Sequence, residues 1–161
     1  MRIVDGIATG FSKYKDGGNW TAVSLLKELE GVTWTMATTS LYGCNDIATL
    51  VFHINYYVKG VLDFFNNGKL EIKDKFSFDR PDIQTEEEWQ DFLKQIYADM
   101  DLFVEKVKTL EDEILHQTFV DEKYGNYYRN LVGIIEHGYY HLGQVVILKK
   151  ILVAQAKSKD L

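Results

Sequence analysis

With 161 residues, 46% of them apolar and 26% charged, the chain reads as one folded domain over 1–161 rather than a disordered or fibrous segment. Its net charge is −6, with no basic cluster beyond Lys149, Lys150, Lys157 and Lys159, which argues against a nucleic-acid partner. No apolar run approaches the roughly 18 residues of a membrane span, no signal-type segment is visible and Cys44 is the lone cysteine, so the expectation is a cytoplasmic protein with no membrane partner.

Between Arg2 and Phe11, residues Ile3, Val4, Ile7 and Phe11 have helical spacing, but Gly6 and Gly10 weaken it and predict at most a short helix. The breaker cluster Lys15-Asp16-Gly17-Gly18-Asn19 follows. A helix over Trp20 to Glu30, capped by Asn19 and ended by Gly31, carries Val23, Leu26 and Leu29 on its apolar side. The Thr-rich stretch from Val32 to Tyr42 suits an extended connection, and Cys44 reads as a small buried filler. The next helix starts with Asn45 as N-cap and Asp46 in its first turn, and runs to about Phe65, ahead of Asn66-Asn67-Gly68. At about 100° per residue, His53 falls on one stripe with Thr49, Leu50, Tyr57, Val61 and Phe64. Gly60 shares that stripe and offers room for a neighbouring helix.

Lys69 to Asp82 reads as a charged loop closed by Pro81. Thr85 and Glu88 form a capping box, after which Trp89, Phe92, Leu93, Ile96, Met100, Phe103 and Val107 recur in steps of three and four. Glu111 to Tyr124 lacks a period and reads as a connection that leaves His116 in a loop. Gly125-Asn126 opens a last helix from Tyr127 to about Ala156. One face of that helix holds Asn130, Ile134, His137, His141, Leu148 and Leu152. A second stripe holds Tyr128, Ile135, Tyr139, Leu142, Val146 and Val153, and this surplus suggests a homodimer. Four principal helices with short connections predict an all-α four-helix bundle with a short additional N-terminal helix.

His137 and His141 are four apart, so one helical turn places both imidazoles on one face. A single buried histidine is usually a satisfied core residue. A pair on an apolar stripe must desolvate two rings, and His53 lies at the centre of a second stripe. Three nitrogen donors from two helices with no fourth ligand describe an open metal site. Among the supporting residues, Gln144 lies about 20° from His137 around the helix and suits a group that orients a ligand. Tyr57 is one turn beyond His53 and can give a proton or a hydrogen bond, or simply pack. Asp46 ranks below Gln144 and suits the helix dipole. Glu136 points about 100° away from its neighbour His137.

The segment Ile47-Ala48-Thr49-Leu50-Val51-Phe52-His53-Ile54 and the run Glu136-His137-Gly138-Tyr139-Tyr140-His141-Leu142-Gly143-Gln144 resemble the two signature regions of the DinB/YfiT-like superfamily. The Trp20 region leading to Leu29-Glu30-Gly31-Val32-Thr33 and the helix start at Thr85 are similar to that family in kind and order. The resemblance implies a four-helix bundle, a metal triad on His53, His137 and His141, and zinc or nickel as the ion. It also implies a metal-dependent enzyme that activates a thiol or water against a small electrophile, as a thiol-dependent S-transferase or a hydrolase. A low-molecular-weight thiol such as bacillithiol or mycothiol would then join the small-molecule substrate. The alternative is a non-catalytic metal- or ligand-binding stress-response protein.

Overall fold

The computed structural model describes residues 2–159. Six α-helices carry the described chain, and no strand occurs among its residues beyond an isolated bridge between Thr118 and Asn126. The helices are α1 (Ile3–Asp16), α2 (Leu25–Leu29), α3 (Trp34–Ala37), α4 (Ile47–Asn67), α5 (Glu86–Lys108) and α6 (Tyr127–Lys159). Short 3-10 turns at Asp74–Phe76, Asp112–His116 and Glu122–Tyr124 interrupt the connections. The four long helices pack in a closed ring, with α1 and α4 each lying against both α5 and α6. No described helix is long and apolar enough to cross a membrane.

The N-terminal segment departs most from expectation. It is a full member of the ring, because Val4, Ile7, Ala8, Phe11 and Tyr14 are buried along one side. Burying a large apolar side chain contributes about 1.5–3 kcal/mol, which outweighs the roughly 1 kcal/mol helix penalty of each glycine. The start of α1 is capped from a distance. Its own N-cap Arg2 makes no side-chain cap, and the Asp112 carboxylate instead accepts from the Ile3 and Val4 amides, both at 2.9 Å.

The helix expected from Trp20 shrinks to Leu25–Leu29. Asn19 does not cap it. Its amide donates to the Lys13 and Val23 carbonyls while its oxygen accepts from the Thr21 amide, which holds a turn instead. Trp20 is left fully exposed. The supposed extended stretch contains α3, capped by Thr33, and Thr38 and Thr39 donate back to carbonyls one turn earlier. At α4 the N-cap is Asp46, whose carboxylate accepts from the Thr49 amide at 2.7 Å, rather than Asn45. The helix ends two residues beyond Phe65, at Asn67, with Gly68 left-handed. Cys44, expected as a buried filler, is exposed.

The capping box of α5 forms as expected: Thr85 Oγ1 accepts from the Glu88 amide and Glu88 Oε2 from the Thr85 amide, both at 3.2 Å. Trp89 is fully buried and its indole donates to the Val32 carbonyl at 2.8 Å. Gly60 makes room for a loop and not for a helix. A Cβ there would stand 2.5 Å from Cγ2 of Ile72. The middle of the second stripe on α6 is covered from within the chain, while its ends, Tyr128 and Val153, are exposed. Tyr139 meets the Tyr14 ring edge-on at 5.2 Å, the Ile135 side chain lies over Gly10, and Leu142 is buried.

Candidate metal centre

α4 and α6 lie side by side, and their buried faces bring His53, His137 and His141 together. His137 Nε2 stands 3.1 Å from His53 Nε2 and 3.1 Å from His141 Nε2. His53 and His141 are buried, while His137 is half-buried at the rim. The four-residue spacing supplies one pair and the neighbouring helix supplies the third ring.

The outer nitrogens decide what the inner ones can do. His53 Nδ1 donates to the Ser77 carbonyl at 3.1 Å, and His141 Nδ1 donates to Gln144 Oε1 at 3.0 Å. Both acceptors are oxygens, so both protons sit on Nδ1 and both Nε2 atoms present lone pairs. These two lone pairs point at His137 Nε2, which carries at most one proton and can satisfy only one of them. A cation satisfies all three. Two imidazole nitrogens bonded to one ion at about 2.0–2.1 Å stand about 2.8–3.4 Å apart for bond angles of about 90–110°, and the two separations that His137 makes lie in that interval, with all three donor atoms within 4.8 Å of one another. The three histidines therefore fit a divalent ion by donor type and spacing.

Electrostatics hold the rings in the form that can ligate. Burial lowers the His53 pKa. Burial, reinforced by His141 and His53, pushes His137 down to about 4. At neutral pH His53 and His137 are therefore uncharged, as metal binding requires.

The remaining candidates fall into place around the trio. Gln144 orients His141, three residues before it, and not His137. Tyr57 is half-buried, with its ring edge-on to His53 at 5.2 Å and to His137 at 5.1 Å. Its hydroxyl donates to Asp74 Oδ1 at 3.2 Å, and burial raises its pKa. Asp46 serves α4 and the loop: besides capping, it pairs with Arg80 at 3.0 Å, and Arg80 Nε donates to Thr49 Oγ1. Glu136 and His116 are exposed and take no part in the trio.

Two residues in the charged loop were not singled out from the sequence. Ser77 is buried and supplies the carbonyl to His53, and Phe78 stacks on the His53 ring at 3.9 Å with the planes 6° apart. Two phenylalanines flanking a serine in an otherwise charged loop were the available signal. A cavity of about 470 Å³ opens beside His137 and Tyr57. No family model, curated protein or solved structure matches the chain.

Proposed function

We propose that this chain is a DinB/YfiT-like four-helix bundle and a metal-dependent enzyme. His53, His137 and His141 hold one divalent cation, zinc or nickel. The reading rests on one observation above all: two imidazole lone pairs, with tautomers set by Ser77 and Gln144, converge at 3.1 Å on a third ring that cannot satisfy both. When bound, such an ion supplies Lewis acidity that makes a nucleophile of a thiol or water near neutral pH.

The chain's own residues do the rest. Ser77 and Gln144 keep two rings aimed inward. Phe78 and the loop it belongs to shield the His53 side from solvent, which leaves His137 as the ring that lines the cavity. Tyr57 also lines it, and since burial makes it a weaker acid, its Oη keeps its proton at neutral pH and serves as a hydrogen-bond donor toward a bound small electrophile. Thiol-dependent S-transfer or hydrolysis fits this arrangement. The cavity beside His137 favours turnover over simple metal storage, since a storage site needs no room for a second molecule. A homodimer would use what α6 leaves uncovered, the stripe ends Tyr128 and Val153 together with Tyr140 and Ile147.

The test is calorimetric titration of zinc and nickel into protein purified without an affinity tag, paired with a thiol-transfer assay on a small aryl halide. Wild type is expected to bind one ion per chain, and His141→Ala to lose both binding and transfer. Equal activity in the two proteins, or no ion taken up by wild type, overturns the reading.

A further inference from the structure

The cavity beside His137 is chemically polarised along its length. Arg129, Gly133 and His137 follow one another at four-residue steps on α6, which places Arg129 about 12 Å from His137 along the helix axis. At the His137 end, Tyr57 contacts the ring and its hydroxyl holds Asp74. At the other end stand two cations, Arg129 and Lys123. The other walls are mainly apolar, among them Leu70, Ile72 and Ile134, with Asn130 next to Arg129.

Both cations are exposed at the cavity mouth, and Arg129 is tethered there. Arg129 Nη1 donates to the Tyr124 carbonyl at 3.1 Å, and its Cδ lies against Gly125. Its other N–H groups have no hydrogen-bond partner among the described residues. Lys123 Nζ sits 4.8 Å from the Tyr124 ring centre, and neither cation is paired with a carboxylate among the described residues.

Gly133 lines the cavity, and packing leaves it room for a side chain. A Cβ on Gly138 would strike the Tyr14 ring at 2.9 Å, whereas a Cβ on Gly133 meets nothing within 4 Å. A mid-helix glycine costs about 0.5–1 kcal/mol relative to alanine. What Gly133 gives in return is open space next to the metal centre. A volume of about 470 Å³ is also in the range of small-ligand sites.

We propose that this cavity binds a small organic anion, with its anionic head on Arg129 and Lys123, its apolar body over Gly133 and Ile134, and its other end at His137. The proposal names the substrate class of the metal centre, and it rests on that reading only for what happens at the His137 end. The test uses metal-free protein and two fluorescent probes with a shared apolar body, anionic 1-anilinonaphthalene-8-sulfonate and neutral N-phenyl-1-naphthylamine.

Wild type is expected to bind the anionic probe more tightly than the neutral one. The double variant Arg129→Gln/Lys123→Gln should weaken the anionic probe about tenfold or more and leave the neutral probe within about twofold, because only charge-assisted bonds are lost. Gly133→Leu should abolish binding of both probes with the helical circular dichroism and thermal midpoint retained. Equal binding of the two probes by wild type, an unchanged anionic affinity in the double variant, or wild-type binding by folded Gly133→Leu each overturns the proposal. A metal titration that fails leaves these results standing, and a probe result that fails leaves the metal titration standing.

Discussion

His53 is gripped from three sides, by the Ser77 carbonyl at 3.1 Å, the stacked Phe78 ring at 3.9 Å and the edge of Tyr57 at 5.2 Å. His141 has one polar grip, Gln144, on its own helix. The difference makes Gln144 the residue whose loss is easiest to read. Removing an outer-shell partner of a metal-binding imidazole commonly lowers affinity by about 10–100-fold. Gln144→Leu is expected to weaken zinc binding by about that factor in a competition titration, while Gln144→Glu, which keeps an acceptor oxygen facing Nδ1, stays close to wild type. Equal affinity in Gln144→Leu and wild type would show that His141 needs no such anchor.

At the scale of the helices, two of the three glycines of α6, Gly133 and Gly138, have opposite roles although they lie five residues apart. Gly138 lets the fully buried Tyr14 ring of α1 rest on the α6 backbone, since a Cβ would come within 2.9 Å of Tyr14 Cζ. That ring is wedged between Phe11 and Tyr139 and has little freedom to retreat. Gly138→Ala is therefore expected to destabilise the fold, because overpacking of about 1–3 kcal/mol exceeds the roughly 1 kcal/mol gained in helix propensity. Gly133→Ala is expected to stabilise it by about 0.5–1 kcal/mol, since no neighbour is displaced. Urea denaturation of the two variants against wild type measures both signs. The same contact explains why α1 folds as a long helix despite Gly6 and Gly10: its apolar side is completed by α5 and α6, which lie far away in sequence.

At the scale of the whole molecule, the ring of helices is closed by a carboxylate far from α1 in sequence. Asp112 accepts from the amides of Val4 and Ile3, and these two bonds are the leading reasons its pKa is lowered below the ordinary carboxylate value. A carboxyl whose folded pKa lies below its unfolded value of about 3.9 adds stability above that value, and the contribution disappears as the pH falls through the folded one. Thermal midpoints of wild type are expected to fall on acidification below about pH 4 more steeply than those of Asp112→Asn. The asparagine variant should already start lower at pH 7, with one acceptor oxygen for two amides. Parallel curves would remove Asp112 from the acid transition.

Local chemistry in the chain was enough to mark most of the long helices and the candidate histidines. The Thr85–Glu88 box, the three-and-four steps from Trp89 to Val107 and the four-residue separation of His137 and His141 each act within one or two turns, so they are visible without knowing the fold. The extent of α1, the turn that Asn19 imposes before α2, and the covering of the middle of the second α6 stripe by Tyr14 and Gly10 were decided by contacts between distant segments. So were the positions of Ser77 and Phe78 against His53, held by Arg80 on Asp46, and the polarised cavity between Arg129 and His137. A loop residue has no period to reveal what it faces, and a cavity exists only once its walls have met. The sequence could therefore name the three imidazoles. Only the tertiary structure could turn their lone pairs toward one another and leave room beside them.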